Sequence, residues 1–159
     1  FGVKLREICD SIHILAKKFK DHIFLFPVHL NPNVRQEVLK TLDSKSNKNV
    51  ILIEPVKYDE MVFLMLNTKM ILTDSGGIQE EAPSLGKPLI VMREKTERLH
   101  GIKAGASVLV GSNKNQIIEE VSKLINDKIE YKKMSKIKNI YGDGTASEKI
   151  VKHLVENFS

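Results

Sequence analysis

The stretch that most constrains the fold covers residues 70–92 and reads MILTDSGGIQEEAPSLGKPLIVM. An apolar run is followed by a polar turn with two adjacent glycines, a helix-forming segment and a second apolar run. This order predicts a strand, a tight turn, a short helix and another strand, which form one βαβ unit. We therefore expect a parallel sheet with helices packed against it.

Gly76 and Gly77 form the turn of this unit, directly after Ser75. Glycine lets the backbone approach a ligand closely, and the first N–H groups of the following helix have no partners within that helix. These donors and the positive end of the helix dipole favour an anion, most simply a phosphate. Alternatively, Asp74 or Ser75 merely caps the helix. The glycine pair alone leaves both interpretations open.

Apolar runs of strand length alternate with amphipathic segments along the chain. The predicted strands are residues 22–28, 49–54, 70–73, 88–92 and 107–110. The predicted helices are residues 1–20, 32–42, 58–67, the segment after Gly77, and residues 113–126, 129–138 and 145–157. We expect a polar loop at residues 43–49 and a flexible binding loop at residues 93–105. The pattern predicts one Rossmann-like α/β domain over residues 1–159, with a doubly wound parallel sheet.

The apolar spacing also predicts which surfaces are buried. Val3 and Leu15 share the inward stripe of the first helix, and Val38 and Leu39 that of the second. The third helix is apolar on most sides. Residues 22–28 form a continuous apolar run, which is consistent with a strand covered on both faces.

Composition narrows the functional classes. The net charge is +5, but the lysines are scattered along helices and do not alternate with aromatic residues. A solvated surface is therefore favoured over a nucleic-acid-binding patch. The single cysteine, Cys9, excludes an internal disulfide and a cysteine-based metal site, and its apolar helix face predicts a buried thiol.

The expected compartment is the cytosol. No apolar run approaches the roughly 18 residues of a membrane span, and no signal peptide opens the chain. The chain begins with Phe1 rather than methionine and enters a helix almost at once. This beginning suggests a piece of a longer protein.

Polar signals follow four of the predicted strands. His29 follows the first strand, residues 56–58 the second, residues 75–77 the third and residues 93–98 the fourth. Ligands of doubly wound sheets bind outside the carboxyl ends of the strands. A histidine, an anion-binding turn and arginines at these ends indicate a binding cleft rather than a helix cap alone.

Two charged residues suit a nucleotide in this cleft. Glu81 lies about one and two-thirds helical turns beyond Ser75, where a carboxylate can accept hydrogen bonds from a ribose diol. Alternatively, Glu80 and Glu81 are a solvent-facing acidic pair near a helix start, and we expect one of them to be so. Arg98 has the donor geometry to pair with a diphosphate, or it is an exposed loop arginine.

The remaining candidates for chemistry are weak. His13, His22 and His153 are expected at the surface or at helix ends, and His100 is expected to be solvated in its loop. The sequence contains no metal-ligand cluster, no paired nucleophile and base, and no Walker-type loop. We therefore expect no metal and no cofactor. The residues predict a half-site for phosphate and ribose without an evident catalytic base.

Four segments resemble the non-hydrolysing UDP-N-acetylglucosamine 2-epimerases of bacteria. They are TDSGGIQEEAPSLGKP at residues 73–88, PVHLNPNV at 27–34, KTER at 95–98 and NIYGDGTAS at 139–147. Enzymes of this family have two Rossmann-like domains in the GT-B arrangement, with the active site between them. The resemblance covers essentially the whole chain, and it is to the C-terminal domain only.

The resemblance implies a role for each residue around the glycine turn. Ser75, Gly76 and Gly77 would hold the diphosphate of UDP. Glu81 would accept hydrogen bonds from the ribose hydroxyls, and Arg98 would add a charge contact.

It also implies roles at the other strand ends. Backbone around Val56 and the side chain of Met61 would lie beside the uracil, and His29 would contact a second, activating UDP-sugar. Met61 stands where the family commonly has an aromatic residue, and Leu99-His100 replace its usual Pro-Glu. These departures leave the base contact and the substrate preference less defined.

The family interconverts UDP-N-acetylglucosamine and UDP-N-acetylmannosamine by eliminating UDP and adding it back, in the service of polysaccharide synthesis. Its acid and base carboxylates belong to the N-terminal domain, so we expect this chain alone to bind UDP without turnover. The whole protein is expected to be a homodimer. The alternatives are the C-terminal domain of a GT-B glycosyltransferase and that of a hydrolysing 2-epimerase.

Overall fold

The structure, a computed structural model, describes residues 2–42 and 47–158. Its elements are α1 Gly2–Lys18, β1 Phe24–Pro27, α2 Pro32–Thr41, β2 Val50–Ile53, α3 Tyr58–Asn67, β3 Ile71–Thr73, α4 Gly76–Ser84, β4 Leu89–Val91, α5 Leu99–Ala104, β5 Ser107–Leu109, α6 Lys114–Asn126, α7 Lys128–Ser135 and α8 Ala146–Phe158. The described strand pairs are all parallel, which confirms the predicted α/β class. The predicted first residue of α1 and most of the predicted loop at 43–49 lie outside the described residues.

The strands form two hydrogen-bonded groups rather than one continuous ladder. β1 pairs with β2, and β4 lies between β3 and β5. Phe24 stands opposite Val50 in the first group, and Ile90 stands between Leu72 and Val108 in the second. The two groups share packing, because Phe24 contacts buried clusters on both.

β4 is covered on both faces, as a doubly wound sheet requires. Leu89 and Val91 pack in a cluster with Ala82 of α4. Ile90 points to the opposite face and lies in a cluster with side chains of α1 and α6. The three β4 residues are fully buried, and each such side chain contributes about 1.5–3 kcal/mol through burial.

The prediction that β1 is covered on both faces is wrong. Phe26 of β1 and Leu52 of β2 pack toward α1 and α2. Leu25 and Ile51, which are register partners, are 39% and 42% exposed on the other face. A short continuous apolar run cannot show how many of its faces tertiary packing covers.

Two further burial predictions are wrong. Val3 is 73% exposed and Leu39 is 52% exposed, because the apolar stripe of each helix is wider than its covered side. α3 has the predicted bounds, yet Met65 is its one buried residue. Cys9 is buried as predicted, and burial raises the pKa of its thiol to about 12.

The predicted flexible loop at residues 93–105 contains a helix, α5. The helix ends at Gly105, whose φ of 82° lies in the left-handed region that glycine adopts without strain. The hydroxyl of Tyr141 accepts a hydrogen bond from the N–H of Gly101 at 3.2 Å, and this contact supports α5 from the chain beyond α7.

The last helix, α8, buries none of its residues. Its exposed apolar side chains are Ile150, Val151, Leu154, Val155 and Phe158. In residues 2–42 and 47–158, we find no helix of the length and apolar character that crossing a bilayer requires.

Candidate functional site

The turn after β3 presents the open N-terminus of α4. Ser75 is the N-cap residue, but its side chain makes no capping hydrogen bond. Its own N–H donates to the hydroxyl of Thr73 at 3.0 Å. The first N–H groups of α4, beginning at Gly76 and Gly77, therefore have no side-chain cap and retain their capacity for an anion. The capping interpretation of Ser75 is not realised.

Arg98 lies against this turn. A methyl group placed on Gly76 would be 3.4 Å from both Cζ and Nη2 of the guanidinium. Arg98 Nε donates to Glu80 at 2.9 Å, and Nη1 lies 2.9 Å from a carboxylate oxygen of Glu97. The hydrogen bond to Glu80, with the charges of both carboxylates, raises the pKa of Arg98 above its ordinary value. Arg98 is thus held beside the turn and is not a free loop arginine.

Glu80 and Glu81 have different surroundings. Glu80 is the ion-pair partner of Arg98. A methyl group on Gly77 would lie 3.7 Å from Oε1 of Glu81 and 4.0 Å from Oγ of Ser75. Within the described part of the chain, no cation is within ion-pair distance of Glu81, so its carboxylate oxygens remain available beside the turn.

Two buried polar residues behind the turn are not among the candidates predicted from the sequence. Gln79 is 2% exposed and Thr96 is 9% exposed. The Thr96 hydroxyl donates to Gln79 Oε1 at 2.6 Å, and Gln79 Nε2 donates to the Ser75 carbonyl at 3.0 Å. The N–H of Arg98 donates to the Thr96 hydroxyl at 3.1 Å. Both residues lie in segments that carry the family resemblance, but the sequence of those segments does not show that the two side chains form a hydrogen bond.

Residues 93–98 are the part of the predicted loop at residues 93–105 that has no helix or strand, and hydrogen bonds hold this part at both ends. Glu94 accepts hydrogen bonds from the hydroxyl of Ser112 at 3.0 Å and from its N–H at 3.4 Å. These bonds, with the charge of Lys4, lower the pKa of the Glu94 carboxyl. At the other end, the hydroxyl of Tyr141 donates to the carbonyl of Arg98 at 3.3 Å.

The other three candidates lie after β1 and β2. His29 is exposed, and its Nδ1 accepts the N–H of Asn31 at 3.1 Å, which leaves the proton of the neutral ring on Nε2. Asn31 caps α2. Val56 and Met61 are half-buried at the beginning of α3. The structure thus gathers five of the eight candidates at the β3 turn and leaves the other three at the ends of β1 and β2.

The end of β2 has a different polar group. Arg35 of α2 donates two hydrogen bonds of 2.6 Å to the carboxylate of Glu54. These bonds raise the pKa of Arg35 and lower the pKa of Glu54. Across the ranges that the structure covers, no three His, Cys, Asp or Glu side chains are grouped to hold a metal ion.

Known proteins resemble the chain over nearly its full length. The profile of the family described as UDP-N-acetylglucosamine 2-epimerase matches residues 2–155. The protein of that name from Campylobacter jejuni is 51% identical over 156 residues, which are 98% of this chain and 40% of the relative. The one from Escherichia coli K12 is 50% identical over 157 residues, which are 99% of this chain and 41% of the relative.

Solved structures also match the fold of this chain over nearly its full length. The Neisseria meningitidis UDP-GlcNAc 2-epimerase bound to UDP-GlcNAc matches with a TM-score of 0.91 and 49% identity, over 98% of this chain and 42% of that one. S. aureus MnaA solved with UDP matches with a TM-score of 0.92 and 38% identity, over 100% of this chain and 44% of that one. The chain spans about 40% of the length of its curated relatives. It belongs to the UDP-N-acetylglucosamine 2-epimerase family.

Proposed function

We propose that the chain is the UDP-binding half of an epimerase that interconverts UDP-N-acetylglucosamine and UDP-N-acetylmannosamine. The observation that carries this proposal is the guanidinium of Arg98 against Gly76, at the uncapped N-terminus of α4. Two sources of positive potential converge there, which suits a diphosphate. Family membership, and relatives solved with UDP or UDP-GlcNAc, support UDP as the nucleotide.

In this proposal the chain holds the leaving group of the reaction. The N–H groups at Gly76 and Gly77 donate to the diphosphate, with Ser75 beside them. Arg98 contributes its charge in competition with Glu80. As the bond between the sugar and UDP breaks, negative charge grows on the diphosphate, and fixed donors stabilise it without reorganisation. The same donors hold UDP while it adds back to the sugar.

The remaining contacts follow the family resemblance. Glu81 accepts hydrogen bonds from the ribose hydroxyls, which its place beside Gly77 supports. Val56 and Met61 contact the uracil, and His29 contacts an activating UDP-sugar through its Nε2–H. The acid and base that move protons at the sugar belong to a second Rossmann-like domain outside this chain.

The wider setting is also a proposal. The whole protein has the GT-B arrangement, and the shared length with its relatives, about 40%, supports a further domain. The exposed apolar side of α8 suits a contact with that domain. On the resemblance, the protein is a cytosolic homodimer that serves polysaccharide synthesis and takes a UDP-sugar rather than nucleic acid.

Calorimetric titration of this chain with UDP and with 2′-deoxy-UDP tests the site. Wild type should prefer UDP, and Glu81→Ala should weaken UDP binding about tenfold and abolish that preference, because both oxygens that accept hydrogen bonds from the diol are removed. Ser75→Ala should weaken both nucleotides alike. A Glu81→Ala variant that keeps the wild-type preference would remove Glu81 from the ribose site.

Product analysis on the whole protein separates the possible reactions. We expect the two UDP-sugars to interconvert without free sugar, and the 159-residue chain alone to give no turnover. Free N-acetylmannosamine with UDP as the main product would indicate a hydrolysing relative. UDP release that requires an acceptor would indicate a glycosyltransferase.

A further inference from the structure

Behind the anion-binding turn, a series of hydrogen bonds joins two backbone segments that are far apart in sequence. It runs from the N–H of Arg98 to the hydroxyl of Thr96, then to the side-chain amide of Gln79, and ends at the carbonyl of Ser75. Every donor in it faces an acceptor. The Thr96 oxygen accepts from Arg98 and its proton is thereby free for Gln79 Oε1, while Gln79 Nε2 serves Ser75.

The two side chains are buried more deeply than the groups they connect. Gln79 is 2% exposed and Thr96 9%, whereas the Arg98 side chain is 30% exposed. Hydrogen bonds shielded from water are stronger, and a buried polar group is costly once its partner is lost. The hydrogen-bonded side chains of Gln79 and Thr96 are therefore held rigidly, although the guanidinium of Arg98 lies at the surface.

The other link between the loop and α4 is weaker. Arg98 also pairs with Glu80, whose side chain is 46% exposed. An ion pair so open to water is screened by salt, and a diphosphate would compete for the same guanidinium. Once a ligand pairs with the guanidinium of Arg98, the hydrogen bond between Thr96 and Gln79 is what holds the loop at residues 93–98 against α4.

We propose that Gln79 and Thr96 are positioning residues for anion binding: they hold Arg98 over the N-terminus of α4 before the ligand arrives. This inference rests on the proposed function, because it takes that turn as the diphosphate site. Holding the loop in advance removes the ordering cost that a mobile arginine imposes on binding. Neither residue needs to touch the ligand.

A double-mutant cycle on this chain tests the inference, with UDP and inorganic pyrophosphate as probes. Thr96→Val keeps the shape of the side chain and removes both hydrogen bonds. We expect it to weaken binding of each probe about tenfold when Arg98 is present, and to have no effect in an Arg98→Gln background. Thr96→Ser, which restores the hydroxyl, should bind within about twofold of wild type. If Thr96→Val does not fold, Gln79→Met breaks the same link from α4.

Arg35→Gln is the matched control for pyrophosphate, because it removes an equal charge at the other strand group, where no diphosphate contact is proposed, and should leave the pyrophosphate affinity unchanged. Wild-type affinity in Thr96→Val, or an equal loss in the Arg98→Gln background, would overturn the positioning role. Binding of pyrophosphate but not UDP would contradict the proposed function and leave the cycle readable with pyrophosphate. Binding of neither probe would overturn both.

Discussion

The two strand groups differ in how they are covered and in what they present at their carboxyl ends. β4 is buried on both faces, and the turn beside it is backed by the buried pair of Gln79 and Thr96. The β1–β2 group is covered on one face, and its end carries the exposed pair of Arg35 and Glu54. The first arrangement fixes groups before a ligand arrives, whereas the second is open to water and salt.

The two ends differ in the surroundings of their ion pairs rather than in whether they have one. Both ends have an arginine paired to a carboxylate, and the bonds between Arg35 and Glu54 are the shorter of the two. Short bonds at an exposed site add little, because water competes for both partners. At the β3 turn, Arg98 also has buried neutral hydrogen bonds behind it and the end of a helix beside it. Its surroundings, rather than its ion pair, are the reason for proposing that the diphosphate binds at this turn.

The largest predicted effect compares the cores of the two groups. Ile90→Ala in β4 should lower the free energy of unfolding by about 3–4 kcal/mol, because it leaves a cavity in a site closed on both faces. Ile51→Ala in β2 should cost about 1 kcal/mol, since its side chain is already 42% exposed. Urea denaturation at low protein concentration measures both changes.

Equal losses at these two positions would contradict the comparison. They would show that the open face of β1–β2 is covered in solution. Repeating the titration at several protein concentrations then separates a second copy from a rearranged α3, because only association depends on concentration.

A smaller effect is expected from the Arg35–Glu54 pair. The hydrogen bond from Arg35 lowers the folded-state pKa of Glu54, so the pair contributes stability above the ordinary glutamate pKa of about 4.3. That contribution is lost as the pH falls through the lowered folded-state pKa. Arg35→Gln should therefore be slightly less stable than wild type at pH 7 and equal to it in acid. Thermal unfolding across this pH range measures the difference, and a gap that widens in acid would refute the assignment.

Much of the fold was predictable because long amphipathic segments have a readable period. α2 begins at Pro32 and α6 ends at Asn126, where the apolar spacing indicates. α5 was missed because its six residues make fewer than two turns, too few to show a period, and one of them is Gly101. Its support comes from Tyr141, 40 residues further along the chain.

Part of the candidate site could likewise be predicted from the sequence. The glycine turn and its neighbours follow from local chemistry, since Ser75, Gly76 and Gly77 are adjacent in sequence. The approach of Arg98 could be expected from the order of the strands. The pairing of Gln79 with Thr96 could not, because it depends on two side chains meeting inside the fold. Which face of β1–β2 is covered depends likewise on packing that no short apolar run encodes.

The most direct test of the central claim is the backbone amide NMR spectrum of this chain during titration with UDP. If the β3 turn holds the diphosphate, the amide signals of Gly76, Gly77 and Arg98 should shift together along one binding curve. The signals of Lys69 and Tyr131, which meet before the beginning of β3 at the opposite end of that strand, should remain in place at the concentrations that saturate this curve. Saturable shifts confined to Lys69 and Tyr131, or no shift at the glycine turn, would contradict the account.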